Sequence, residues 1–88
     1  MDGEQDWMEP PTLEDVKNLP LCMPDNFTDA PELADQIGRG EAFVLNLDQI
    51  PLDTARNILD FLCGAAYLAG ATIQRIALNT YIVTPPKH

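Results

Sequence analysis

Phe61-Leu62-Cys63-Gly64-Ala65-Ala66-Tyr67-Leu68-Ala69-Gly70 carries no charge anywhere around a helical turn, and from Ile58 to Ile73 the only charged residue is Asp60. An amphipathic helix lying on one sheet needs a single apolar stripe. Ile58, Leu62, Ala65 and Ala69 supply that stripe. Phe61, Gly64 and Leu68, spaced by three and four, form a second apolar row. A membrane span is excluded, since roughly 20 apolar residues are needed to cross a bilayer and this run is shorter and holds Asp60. The rest of the chain is too short to cover both rows, so a second copy of the chain is expected against the second one. Gly64, Ala65 and Ala66 are small enough to let two helices approach closely. Glycine inside a helix costs about 1 kcal/mol relative to alanine, which close packing would offset. The competing reading of Gly64 is a fraying helix end.

Working outward, Pro51 suits the first turn of this helix, where its missing N–H would lack a partner anyway, and Gly70 ends it beyond about Leu68. Upstream, Ala42-Phe43-Val44-Leu45-Asn46-Leu47 is nearly continuous apolar, as a strand covered on both faces must be. Downstream, residues 72–77 and 80–84 read as strands around a Leu78-Asn79 turn, where asparagine tolerates a positive φ. Pro85-Pro86 closes the sheet. Nearer the start, residues 19–23 form a short extended run whose Pro20 has no ladder donor, which places it at a sheet edge or a strand start. Asn26 is an N-cap for a helix from Phe27 to about Ile37, with Phe27, Leu33, Ala34 and Ile37 apolar. Pro31 fits only a first turn, so this helix begins late, and Gly38 and Gly40 bracket Arg39 as its stop. The expected fold is α/β: a small two-layer sandwich of about four β-strands with two α-helices, dimeric through the second helix.

Eighty-eight residues allow one small domain. Five basic residues against fourteen acidic ones give a net charge of -9, which argues against nucleic acid and against unaided binding to an anionic membrane. Residues 1–18 hold six acids and one base, with Pro10-Pro11 and no periodicity, and read as an acidic, flexible linker or arm; residues 19–88 are the globular domain. Trp7-Met8 is able to dock on another surface, although a lone exposed aromatic in a tail is more often incidental. No signal-peptide pattern is present, so a cytoplasmic location is expected. Cys22 and Cys63 are too few and too far apart for a zinc site, and the single histidine is His88. Neither metal nor cofactor is expected, and without a base, a metal set or a phosphate loop the chain does not read as an enzyme.

The succession Phe27-Thr28-Asp29-Ala30, residues 42–47, Ala55 through Tyr67, Ile73-Gln74-Arg75-Ile76 and Tyr81-Ile82-Val83-Thr84-Pro85 resembles the globular domain of the SepF family of bacterial cell-division proteins. The resemblance covers roughly residues 19–86, and its most specific piece is Ile58-Leu59-Asp60-Phe61-Leu62-Cys63-Gly64. It implies a dimeric adaptor that ties the tubulin-like division protein FtsZ to the inner face of the membrane at the division site. It also implies a helix interface built around Gly64, with Phe61, Ala65 and Leu68 beside it, and a pocket for the FtsZ C-terminal tail that uses Arg75 and Tyr81. Arg75 stands where the family commonly has lysine and Tyr81 where it commonly has phenylalanine; both keep the chemical type. Asn57 stands where a basic residue is frequent, with Arg56 just before it. The family's basic amphipathic helix does not precede residues 1–3 here, so membrane contact is expected only through a segment absent from these residues.

Each of these residues also has a plainer reading. Arg75 reads equally as a solvated strand residue, Tyr81 as sheet surface or core, and Asp29, Glu32 and Asp35 as a solvated helix face. Cys63 is expected to be a buried inert thiol, and Cys22 likewise. A small dimeric ligand-sensing or regulatory α/β domain without catalytic activity is the alternative function, with Gly38-Arg39-Gly40 as its only donor-rich loop. In a regular two-residue hairpin Ile76 would face Tyr81, leaving Arg75 and Tyr81 on opposite faces. A bulge, or a three-residue loop over Leu78-Asn79-Thr80, would shift the register by one and bring them together.

Overall fold

A computed structural model describes residues 17–86. The expected linker over residues 1–18 therefore lies almost wholly outside the described residues. Strand β1 (Leu21–Cys22) is followed by a single 3-10 turn (Phe27–Asp29), helix α1 (Ala30–Gly38), strand β2 (Phe43–Asn46), helix α2 (Leu52–Ala69) and the hairpin β3 (Thr72–Ala77) and β4 (Thr80–Thr84). The sheet runs β1-β2-β4-β3, with β1 parallel to β2 and the other pairs antiparallel. This is the α/β two-layer arrangement expected from the sequence, and the short run around Pro20 is indeed an edge strand. Pro20 contributes its carbonyl, which accepts from the Val44 N–H at 2.8 Å.

Local chemistry sets the element ends. The Asn26 side chain accepts from the Thr28 N–H while the Asp29 carboxylate accepts from the Asp25 and Asn26 N–H groups, so each satisfies donors the helix start would orphan. The turn after Asn26 is 3-10, and the α-helix proper starts at Ala30 with Pro31 in its first turn, the late start its proline requires. Gly70 ends α2 with φ 76°, and the Ala71 N–H reaches back to the Ala66 carbonyl at 2.9 Å.

Both helices press on one face of the sheet. Ala30, Leu33 and Ile37 of α1, Ala55, Ile58, Leu62 and Ala66 of α2, and Phe43, Leu45 and Val83 of the sheet form one buried cluster. The core stripe of α2 therefore differs from the expected one: Ala55 and Ala66 take the buried places, while Ala65 and Ala69 sit half-buried at the margin. Val44 and Ile82 pair across β2 and β4 on the opposite face and are buried too, which agrees with a strand covered on both sides.

Candidate protein-interaction site

The hairpin joins Arg75 to Tyr81. Asn79 takes the left-handed conformation at φ 58°, and its carbonyl and side chain tie the turn to the β2 exit through Leu47 and Asp48. With the tip pinned there, Ala77 pairs with Thr80, yet Arg75 pairs with Tyr81, so Ile76 is the extra residue of a bulge. One inserted residue turns the outer part of β3 over. Arg75 and Tyr81 consequently share a face, in one row with Leu45 of the core. Tyr81 is half-buried against that core, and Arg75 is exposed at the outer strand, where its Nε donates to the Ala77 carbonyl at 3.4 Å. The only ion pair among the described residues joins Arg39 to Glu41, so the Arg75 guanidinium keeps most of its donors for something else. Leu78, in the hairpin turn, and Leu52, at the start of α2, are exposed as well.

A second surface lies along α2. Leu68 is 86% exposed and Tyr67 84%, with Phe61 and Gly64 also open to solvent and Ala65 half-buried. A Cβ built on Gly64 would meet nothing within 4 Å, so the protomer itself does not require glycine there. Phe61 is held in place by an edge-to-face contact with Phe27, ring centroids 5.6 Å apart at 70°. Reading the sequence singled out Phe61, Gly64, Ala65 and Leu68 but passed over Tyr67, because an all-apolar segment does not say which residues look outward.

Cys63 on α2 is exposed, contrary to the expected buried thiol. Partial desolvation, with Asp60 beside it, pushes its pKa up, so it remains a weak nucleophile. Cys22 is half-buried, and burial with the nearby Glu32 and Glu41 raises its pKa as well.

The third feature is a shallow pocket of about 200 Å³ between β1 and α1, lined by Cys22, Met23, Pro24, Asp29, Glu32, Leu33 and Gln36. The Gly38-Arg39-Gly40 loop proposed for a small ligand does not line it. Instead Arg39 is engaged by Glu41 at 2.8 Å on the surface. Among the described residues no three His, Cys, Asp or Glu side chains are placed to hold a metal ion, and no helix is long and apolar enough to cross a membrane.

The profile of the family described as "Cell division protein SepF" matches residues 21–88. A cell division protein SepF of Bacillus pumilus is 36% identical over 83 residues, covering 94% of this chain and 55% of the relative. One from Listeria monocytogenes serotype 4a is 40% identical over 65 residues, covering 74% of this chain and 43% of the relative. The chain thus spans about half the length of the curated relatives it matches. Among solved structures, a SepF-like protein from Archaeoglobus fulgidus superposes with a TM-score of 0.68 at 21% identity, covering 77% of this chain and 84% of that one, and shares the fold.

Proposed function

The chain belongs to the SepF family of cell-division proteins, and from that premise we propose that its folded domain is a dimeric adaptor for the FtsZ C-terminal tail. Two copies pack through the outer row of α2, with Phe61, Gly64, Ala65 and Leu68 at the contact. Each copy offers the tail a groove beside the β3–β4 hairpin, anchored by Arg75 and Tyr81. In this reading the domain acts on the inner face of the membrane at the division site, reaching the lipid through a segment other than these residues.

The observation that carries the tail site is the bulge at Ile76, which sets Arg75 directly across from Tyr81. A guanidinium beside a half-buried aromatic ring suits an extended peptide that presents a carboxylate next to an apolar side chain. Calorimetric titration of the dimer with a synthetic FtsZ tail peptide tests it. Tyr81→Ala should cost about 2 kcal/mol, roughly thirtyfold in Kd. Arg75→Glu should weaken binding and flatten its salt dependence, because a charge-assisted contact is lost. Wild-type affinity in both folded variants would move the tail elsewhere.

A further inference from the structure

Strand β1 and helix α1 leave a cavity of about 200 Å³ between them, which the hairpin site does not use. Its helical wall is a single stripe, since Asp29, Glu32, Leu33 and Gln36 recur at the three- and four-residue spacing of one face. Cys22, Met23 and Pro24 form the other wall, and the Cys22 thiol donates toward Gln36 Oε1 at 4.0 Å. The cavity is apolar within, where Leu33 and Pro24 are buried, and acidic at its rim, where Glu32 is exposed. Among the described residues no base pairs with Asp29 or Glu32; the one ion pair joins Arg39 to Glu41. Burial, then Glu32 and Glu41, push the Cys22 thiol up, so negative potential extends into the cavity. Beside it runs an open backbone edge. β1 is the terminal strand of the sheet, and the Pro20 carbonyl turns inward to accept from the Val44 N–H. Alternation along the strand therefore turns the Leu21 N–H and carbonyl outward, and Leu21 is 61% exposed.

We propose that this edge and cavity together dock an extended segment of a partner protein, which lies along β1 and inserts one lysine or arginine side chain between β1 and α1. An added strand takes its main-chain bonds from Leu21, and the cavity selects the side chain beside them. A basic side chain fits because its stem is apolar and its head charged. The stem lies over Leu33, Met23 and Pro24, and the head meets Glu32 and Asp29. A bare metal ion does not fit, as no three ligating side chains converge among the described residues. The edge strand has only two residues, too few to hold a partner by backbone bonds alone, so the inserted cation carries the selectivity. β1 and β3 are opposite edges of the sheet, so this segment and the ligand proposed for Arg75 and Tyr81 can be held at once. The two sites also differ in sign: Arg75 suits an acidic partner group and Glu32 a basic one.

The probe is an acetylated, amidated peptide, threonine-valine-lysine-valine-threonine, titrated into the isotope-labelled full chain and followed by backbone amide chemical shifts. Saturable shifts are expected at Leu21, Cys22, Glu32 and Gln36, with Arg75 and Tyr81 unmoved. Glu32→Lys should weaken binding roughly tenfold or more. Asp53→Lys, the same change in net charge placed at the start of α2, should change it less than about twofold. Methylating the peptide's backbone nitrogens, with the lysine kept, should abolish the shifts at Leu21, and glutamate in place of lysine should abolish binding. Absence of saturable shifts, or a methylated peptide that binds as tightly as its parent, overturns the proposal. So does equal weakening by Glu32→Lys and Asp53→Lys, since that would reduce the contact to diffuse attraction by a chain of net charge -9.

Discussion

Helices α1 and α2 cover the same sheet and end in similar glycine stops, but their outer faces have opposite chemistry. Between Ala30 and Gly38, α1 buries Ala30, Leu33 and Ile37 and turns Glu32 and Asp35 to water. Between Leu52 and Ala69, α2 buries Ala55, Ile58, Leu62 and Ala66 and turns Phe61, Tyr67 and Leu68 to water. A helix that only roofs a sheet has no use for an apolar outer row, as α1 shows. On the proposed reading, the apolar exterior of α2 serves a contact outside the protomer. The same split runs through the charges: from residue 17 to 49 there are six acids and two bases, whereas from residue 50 to 86 there are two of each. The first stretch of the chain is thus acidic, and the second, which carries the hairpin with Arg75 and Tyr81, is neutral.

The sharpest way to break this contrast is to probe both faces of α2. Leu62→Ala removes a fully buried side chain and should lower unfolding free energy by about 2–5 kcal/mol, read from urea denaturation. Leu68→Ala, six residues on, should leave the protomer's own stability within about 0.5 kcal/mol while raising the dimer dissociation constant. If Leu68→Ala destabilised the monomer as much as Leu62→Ala, the outer row would belong to the fold and not to an interface. The smallest effect is expected on α1. Asp35→Lys should change neither stability, beyond about 0.5 kcal/mol, nor self-association; a clear loss of dimer in that variant would erase the distinction between the two helices.

Much of this was legible in the residues. Asn79 marked the turn, and residues 72–77 and 80–84 form the two strands read from their β-branched pattern. Pro51 and Gly70 bracketed α2, because caps act through local backbone chemistry that a short window contains. The bulge was legible only as one of two registers. Its position depends on β4 keeping Tyr81 and Val83 toward the helices while the tip is tied to Asp48 and Leu47, a constraint from outside the hairpin. For the same reason Ala65 and Ala66 could not be told apart within α2. A segment apolar on every side has no polar face to fix its rotation. Cys63 was misjudged on that account, its neighbours being apolar while its own direction was open.

Sedimentation equilibrium on the wild-type chain and on Gly64→Lys tests most directly the claim that α2 is an interface. The wild type should sediment at twice the 9.7 kDa chain mass at micromolar concentration. Gly64→Lys should sediment as a folded monomer, since the protomer leaves open space at that position while a dimer contact would trap an unpaired ammonium. A wild-type monomer, or a Gly64→Lys dimer as tight as the wild type, would contradict it.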